Sequence, residues 1–305
     1  MKKIILVAGG TGDLGGRIIR ALLAKGADVR AVVRNESDSE KIVNLENLGV
    51  MVFKVNMSSV QEVETACEGV SCVVSALAGL RDVIIDTQKV LLEAAVAAGV
   101  PRFIPSDYSI DFTKFSKGEN RNLDWRREFH AFLDSSRISA TSILNGPFAD
   151  MLTGQMPLIN FKHKMVLYWG RADHKIGFTT IDNTAEFTAE AALDLTSPRF
   201  LRIAGDLISA RHLQSIASEV TGNKFRLFRI GGPALLNFFI HIARLINRGD
   251  KELYPAWQGM QYMHNMIDDR CTIDVLDNSR YTGVQWTPVK EVLKVYQMEQ
   301  RQVEK

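Results

Sequence analysis

The sequence predicts an α/β chain: a doubly wound parallel sheet with helices on both faces and a smaller C-terminal region. Three observations carry that reading. The first half alternates short apolar runs with helical patterns, as expected of strands buried on both faces and joined by crossover helices. A glycine-rich turn joins the first run to the first helix. After about residue 150 the alternation loosens without any low-complexity linker, so the second half reads as a closely packed region, not a tethered module.

Taken in order, residues 3–8 form a continuous apolar run bounded by glycines, the pattern of a buried parallel strand. Over residues 14–25, Leu14, Ile18, Ile19, Leu22 and Leu23 share one helix face, and Gly26 stops the helix. Strands follow at residues 29–33, 50–55, 70–77, 102–105 and 140–144. Between them lie helices at residues 37–48, 60–68, 83–98 and 124–135, with Ser58 or Ser59 placed to cap the second of these. Beyond residue 150, short strands are expected at 165–169, 176–180 and 200–204. Helices are expected at 184–193, capped by Asp182 or Asn183, and at 209–221, and the tail from Gly231 reads as mostly helical. The expected organisation is a nucleotide-binding domain over residues 1–150, to which 178–206 returns. Residues 151–177 and 207–305 form a smaller substrate or partner domain.

Composition narrows the function classes. The 305 residues carry 37 Lys and Arg against 35 Asp and Glu, with 46% hydrophobic residues. That balance excludes a disordered or fibrous chain. A net charge of +2 argues against strong nucleic-acid binding, and the cations Arg121, Arg126 and Arg127 are diluted by Asp124 and Glu128. Cys67, Cys72 and Cys271 are odd in number and lack paired spacing, which indicates reduced thiols and a cytoplasmic setting. No His and Cys cluster has zinc spacing, so no metal is expected. The apolar run after Lys3 is too short for a signal-peptide core. Residues 234–246 contain Asn237, His241 and Arg244 and are too short to span a bilayer. They read as an amphipathic helix covering a pocket or a partner.

The turn after the first strand reads Gly9-Gly10-Thr11-Gly12-Asp13-Leu14-Gly15. Gly10, Gly12 and Gly15 fit G-x-G-x-x-G; Gly9, Gly12 and Gly15 fit G-x-x-G-x-x-G equally well. Either way the chemistry is the same. Glycine permits the tight turn and a close approach of the backbone to a pyrophosphate, and the helix N-terminus beyond it offers free N–H groups and a positive dipole end. The context, directly after a strand and opening a helix, is the one dinucleotide binding requires.

The end of the second strand selects the cofactor. A carboxylate there would hold the ribose of NAD, but the chain has Arg34 followed by Asn35. The planar Arg34 guanidinium suits a 2′-phosphate, with Thr11, Ser37 and Lys41 near in sequence, so NADP(H) is expected. Asn56 and Met57 are placed to touch the adenine, and Ala76, Leu77 and Ala78 the nicotinamide-side ribose.

These runs, with Val32-Val33-Arg34, Arg102-Phe103-Ile104-Pro105-Ser106-Asp107-Tyr108 and Asn145-Gly146-Pro147-Phe148, resemble the NmrA-like and isoflavone-reductase-like group of atypical short-chain dehydrogenases. The resemblance covers about residues 3–230. It implies a Rossmann-like NADP(H) domain with a small C-terminal substrate domain. It adds Ser106 to the cofactor contacts and places Asn145, Pro147 and Phe148 near the nicotinamide. Members of the group either reduce enones, imines, quinones or phenylpropanoid-type compounds by hydride transfer, or bind the dinucleotide as redox sensors without turnover.

One position departs from the group. Its reductases carry a Lys in the helix before the sixth strand, and here that position is Arg126. Arg can anchor a ribose hydroxyl but is a poor acid or base, because it stays protonated. The Tyr-x-x-x-Lys pair of typical short-chain dehydrogenases is also absent: Phe112 lies four residues after Tyr108. Candidate catalytic residues are therefore Arg126, Tyr108 as a proton donor oriented by Asp107, and Lys114. His130 shares the Arg126 face of its helix. The expected function is NADPH-dependent reduction of a small, mostly apolar substrate, with a dinucleotide-sensing regulator as the alternative. A homodimer is left open, and no membrane span is expected.

Overall fold

The computed structural model describes residues 2–272 and 275–303. The first elements follow the expected alternation: β1 (Ile4–Ala8), α1 (Asp13–Ala24), β2 (Asp28–Arg34), α2 (Ser39–Asn47), β3 (Met51–Val55), α3 (Val60–Cys67) and β4 (Cys72–Ser75). Next come α4 (Gln88–Ala97), β5 (Arg102–Ile104), α5 (Arg121–Ser135) and β6 (Ser139–Ala140). The six strands form one sheet in the order β3-β2-β1-β4-β5-β6, and all five pairings in it are parallel. The order reverses between β1 and β4, so the crevice beyond their carboxyl ends is where such a sheet binds ligands.

Both faces of that sheet are covered. Leu6, Ala8, Val73 and Phe103 pack against Val63 and Ala66 of α3, Leu91 and Ala95 of α4, and Phe129 and Leu133 of α5. On the other face Ile18, Ile19 and Leu22 of α1 and Ile42 and Leu45 of α2 are buried. Ile5, Leu6, Val7 and Ala8 are wholly buried, so truncating Leu6 to Ala would cost about 2–5 kcal/mol. Ser59 caps α3, its hydroxyl accepting from the Glu62 N–H at 3.3 Å.

Several elements differ from their expected bounds. The helix expected at 83–98 opens with a π-helical turn, Asp82–Thr87, before α4. Helix α5 starts three residues early, at Arg121. The strand expected at 140–144 divides. Thr141 N–H donates to the Phe103 carbonyl at 3.0 Å, but the Ser142 N–H donates to the Arg199 carbonyl at 2.8 Å. The chain therefore leaves the main sheet there, and β7 (Ser142–Leu144) pairs with a later strand instead.

The remaining elements are β8 (Ile159–Asn160), β9 (Met165–Trp169), β10 (Lys175–Phe178), α6 (Ile181–Leu193), β11 (Phe200–Arg202), β12 (Asp206–Ser209) and α7 (Ala210–Thr221). They are followed by β13 (Arg226–Gly231), α8 (Pro233–Ile246), α9 (Ala256–Met266) and α10 (Val289–Val303). Strand β11 is the partner of β7. The cap of α6 is neither Asp182 nor Asn183, which lie inside the helix; the Thr180 hydroxyl accepts from the Asn183 N–H at 3.1 Å. Strands β12, antiparallel to β10, and β13, parallel to β9, were not anticipated.

The chain divides into two compact units. The first runs to Tyr108 and includes Asn122–Leu144 and Thr184–Leu201; the second holds Ser109–Arg121, Asn145–Asn183 and the chain from Arg202. Polar side chains knit the second unit. The Arg121 guanidinium donates to the carbonyls of Gly249, Glu252 and Leu253 and lies over the Trp257 ring, 4.7 Å from its centroid. Arg202 bonds Asp111 at 2.7 Å. Among the described residues no helix is long and apolar enough to cross a membrane.

Candidate active site

Coordinates separate the roles of the four glycines. Gly9 has φ +85°, and a Cβ there would meet the Ala76 carbonyl oxygen at 2.6 Å, so Gly9 makes the tight turn where the ends of β1 and β4 meet. A Cβ on Gly15 would lie 2.2 Å from the Gly9 carbonyl oxygen, so Gly15 lets α1 close onto the loop. A Cβ on Gly10 would meet Ile19 Cδ1 at 2.6 Å, which makes Gly10 a core-packing position. Gly12 is the least crowded of the four: a Cβ there would meet the Gly9 oxygen at 3.3 Å, a tight contact but not a clash. The 9-12-15 spacing is thus the one in which turn, cradle and helix packing fall in order. Gly12 also starts α1 with no side-chain cap, so no capping side chain satisfies the first-turn N–H groups of Asp13, Leu14 and Gly15. Thr11 is half-buried beside them, and Asp13 is held by Arg17 at 2.7 Å.

Arg34 ends β2 and is exposed, in register with Val55. The Ser37 N–H closes a turn onto the Arg34 carbonyl at 3.0 Å, and Glu36, the nearest following carboxylate, lies inside that turn. Asn56 is exposed and Met57 half-buried at the end of β3, where the Asn56 side chain accepts from the Ser58 N–H at 3.0 Å. Ala76 and Leu77 are half-buried at the end of β4.

Ser106 is turned inward. It is 5% exposed, and its hydroxyl donates to the Leu77 carbonyl at 2.6 Å. Its N–H donates to Oε1 of the wholly buried Gln88, whose amide in turn donates to the Ile84 carbonyl. Ser106 therefore ties the ends of β4 and β5 together, and its hydroxyl is already committed.

Asp107 and Tyr108 occupy buried positions. Asp107 Oδ2 accepts from His130 Nε2 at 2.7 Å and from the Ser142 hydroxyl at 2.6 Å. Arg199 donates to His130 Nδ1 at 3.0 Å and to the Ser142 oxygen at 2.7 Å, and pairs with Asp134 at 2.8 Å. A guanidinium can only donate, so Nδ1 is the bare nitrogen and Nε2 carries the proton given to Asp107. Burial alone would raise the Asp107 pKa, but His130, the Ser142 hydroxyl and the Arg126 charge together hold it below the usual carboxylate range. His130 is thus a satisfied core residue. The Tyr108 hydroxyl is buried, and burial pushes its pKa up, so it is badly placed as a proton donor to a substrate. Arg126 is 8% exposed, and its guanidinium donates to the Asn122 carbonyl one turn earlier at 3.1 Å.

The second unit holds the other candidates. Lys114 Nζ donates to the Thr272 carbonyl at 2.8 Å, so this lysine is anchored within its own unit. Asn145 is wholly buried; its amide donates to the Gly146 carbonyl, and its Oδ1 has no hydrogen-bond partner. Pro147 and Phe148 are half-buried, and Phe148 bridges to Thr179. A small cavity of about 40 Å³, lined by Trp169, His174 and Met263 among others, lies in this unit. It suits a water or two and is far below the volume of a ligand pocket. Among the described residues no group of His, Cys, Asp and Glu could hold a metal.

Sequence reasoning missed the Arg199 anchor, because nothing local ties residue 199 to Asp107. It also missed Gln88, which reads as an ordinary helix residue.

The model of the NmrA-like family matches residues 1–303. The chain is 27% identical to pinoresinol reductase 2 of Arabidopsis thaliana, over 97% of both chains. It is 24% identical to a bifunctional pinoresinol-lariciresinol reductase of Linum usitatissimum, over 96% of this chain and 98% of the relative. Among solved structures it is similar to AtPrR2 with NADP+ and (+)pinoresinol, with TM-score 0.82 and 24% identity over 97% of this chain and 99% of that one. It is similar also to an isoflavone reductase, with TM-score 0.82 and 18% identity over 97% and 100%. At these identities the structures share the fold.

Proposed function

The chain belongs to the NmrA-like family, and from that premise we propose that it is an NADPH-dependent reductase of small, mostly apolar, phenylpropanoid-like substrates. The full-length relatives named as reductases support the substrate class. The observation that carries the reading is the Gly9-Gly12-Gly15 loop, in which a Cβ at any of the three would crowd the backbone, backed by an uncapped helix N-terminus.

The residues present fit NADP(H). Uncapped N–H groups of Asp13, Leu14 and Gly15, at the positive end of α1, suit a pyrophosphate. Arg34, exposed where an NAD-binding chain would carry an acid, suits a 2′-phosphate. Asn56, Met57, Ala76 and Leu77, at the ends of β3 and β4, flank the remainder. When bound, NADPH supplies a hydride.

The chain's own residues then hold and orient. Arg126 anchors a ribose hydroxyl and adds a fixed positive charge; as an always-protonated group it moves no proton. Ser106 and Gln88 fix the loop beneath. With Tyr108 buried and Lys114 held by Thr272, the proton that completes a reduction comes from water reaching the site. The three free thiols support a reducing, cytoplasmic setting.

Calorimetric titration with NADPH, NADP+, NADH and NAD+, followed by an NADPH-consumption screen over lignans and related enones, tests the reading. Preference for NADPH with turnover supports it. The Arg at the family's Lys position favours a second reading, a redox sensor, which predicts a large affinity gap between oxidised and reduced cofactor and no turnover.

A further inference from the structure

Helix α8 carries an apolar face that the fold leaves open. Only Leu236 and Ile240 of its fourteen residues are buried. Leu235, Phe238, Phe239, Ile242, Leu245 and Ile246 are exposed, Phe238 at 57% and the last two at 81% and 82%. At 3.6 residues per turn these six fall within an arc of about 120°. Asn237, His241 and Arg244 occupy a separate arc. The preceding strand β13, at the edge of its sheet, adds exposed Phe228.

The charge around this face is one-sided. Between residues 222 and 249 the chain has Lys224, Arg226, Arg229, Arg244 and Arg248 and not one Asp or Glu. All five cations are exposed. Elsewhere the chain carries a slight excess of carboxylates, so the cations are concentrated where the apolar side chains are.

We propose that β13 and α8 form a docking surface for an anionic lipid bilayer, with α8 lying in the headgroup region. A fourteen-residue helix cannot span a membrane, but an apolar arc bordered by Lys and Arg is the pattern of an interfacial helix. Each cation near an anionic leaflet adds to the attraction. Charge complementarity selects this occupant over a second copy of the chain. A two-fold contact would set this basic surface against itself, with no carboxylate in the segment to answer it. A soluble reductase could thereby work beside the lipid phase in which apolar aromatic substrates dissolve.

The test is co-sedimentation of the full chain with vesicles of phosphatidylcholine alone or with about 30% phosphatidylglycerol, in low and high salt. Binding is expected to the anionic vesicles only and to fall at least about tenfold in high salt. Two double variants at exposed positions, Phe238→Ser with Leu245→Ser and Arg226→Glu with Arg248→Glu, should each lose binding about tenfold or more while their melting temperatures and NADPH affinity stay at wild type. Failure to bind anionic vesicles in low salt, equal binding to neutral vesicles, or unchanged binding by both variants would overturn the proposal. So would a wild-type dimer that the Phe238→Ser, Leu245→Ser variant dissociates while vesicle binding is absent.

Discussion

Gly15 stands so close to Gly9 that a Cβ on Gly15 would come within 2.2 Å of the Gly9 carbonyl oxygen. Gly12, between them, would meet nothing nearer than 3.3 Å. The two substitutions therefore separate folding from binding. Gly15→Ala forces backbone against backbone and should cost about 1–3 kcal/mol of stability. Gly12→Ala should cost less than Gly15→Ala, because its methyl meets one backbone oxygen at 3.3 Å, a tight contact that a shift of a few tenths of an ångström relieves. It should nonetheless abolish measurable dinucleotide binding if, as proposed, a pyrophosphate lies against the Gly12 backbone. Thermal unfolding and calorimetry on both variants check this; a Gly12→Ala protein that binds NADPH normally would move the cradle elsewhere.

Arg34 offers a fork of donors at the end of β2. Arg34→Ala should weaken NADPH binding about 10–100-fold, the worth of a charge-assisted pair. Its affinity for NADH should not change, since NADH lacks the 2′-phosphate. Equal losses for the two cofactors would mean that Arg34 acts on the loop and not on the phosphate.

Arg126 lies nearly buried on α5, its guanidinium donating to the Asn122 carbonyl at 3.1 Å. If it anchors the ribose, Arg126→Ala should weaken NADPH binding and lower turnover together, each about tenfold. Arg126→Lys should restore binding and make the rate depend on pH in the range where an amine titrates. Binding and turnover both unchanged in Arg126→Ala would remove this residue from the site.

The β1 and α1 elements could be read directly from the sequence, because an unbroken apolar strand, a glycine turn and a helical apolar face are all local signals. The choice between Gly9 and Gly10 was not local. It depends on which glycine meets Ala76 and which meets Ile19, and both contacts come from other elements. The break at Thr141 was hidden for the same kind of reason: residues 140–144 look like one strand, but two different partners claim the two halves. Strand β13 carries no clean alternation: in Arg226-Leu227-Phe228-Arg229-Ile230 two apolar residues stand side by side and break the period of two. Ser106 matched a family motif, yet its hydroxyl is spent on Leu77, a fact that only the packing of β4 beside β5 reveals.

The thiols offer a direct check on the packing. Burial pushes Cys67, Cys72 and Cys271 up to about 12. Thiolate is the reactive form, so at pH 8 the native chain should resist alkylation by iodoacetamide, and the unfolded chain should react fully. Mass spectrometry after a short exposure reads both. Rapid native labelling of Cys67 or Cys72 would contradict the buried α3 and β4 positions.

Asp107 ties pH to stability. Its carboxyl has an ordinary value of 3.8 in the unfolded chain and a lower one in the fold, where His130, Ser142 and Arg126 favour the charged form against the cost of burial. A group depressed in the fold contributes stability that is present above the unfolded value and is lost as pH falls through the folded one. Asp107→Asn keeps the side-chain volume but gives up hydrogen bonds to a charged acceptor, which should cost about 2 kcal/mol at pH 7. That difference should shrink as pH falls below 3.8, because the wild-type carboxyl then becomes protonated as well. Urea unfolding of both proteins from pH 7 down to pH 3 measures the gap, and a gap that stays constant across the series would place the stabilising interaction somewhere other than the Asp107 charge.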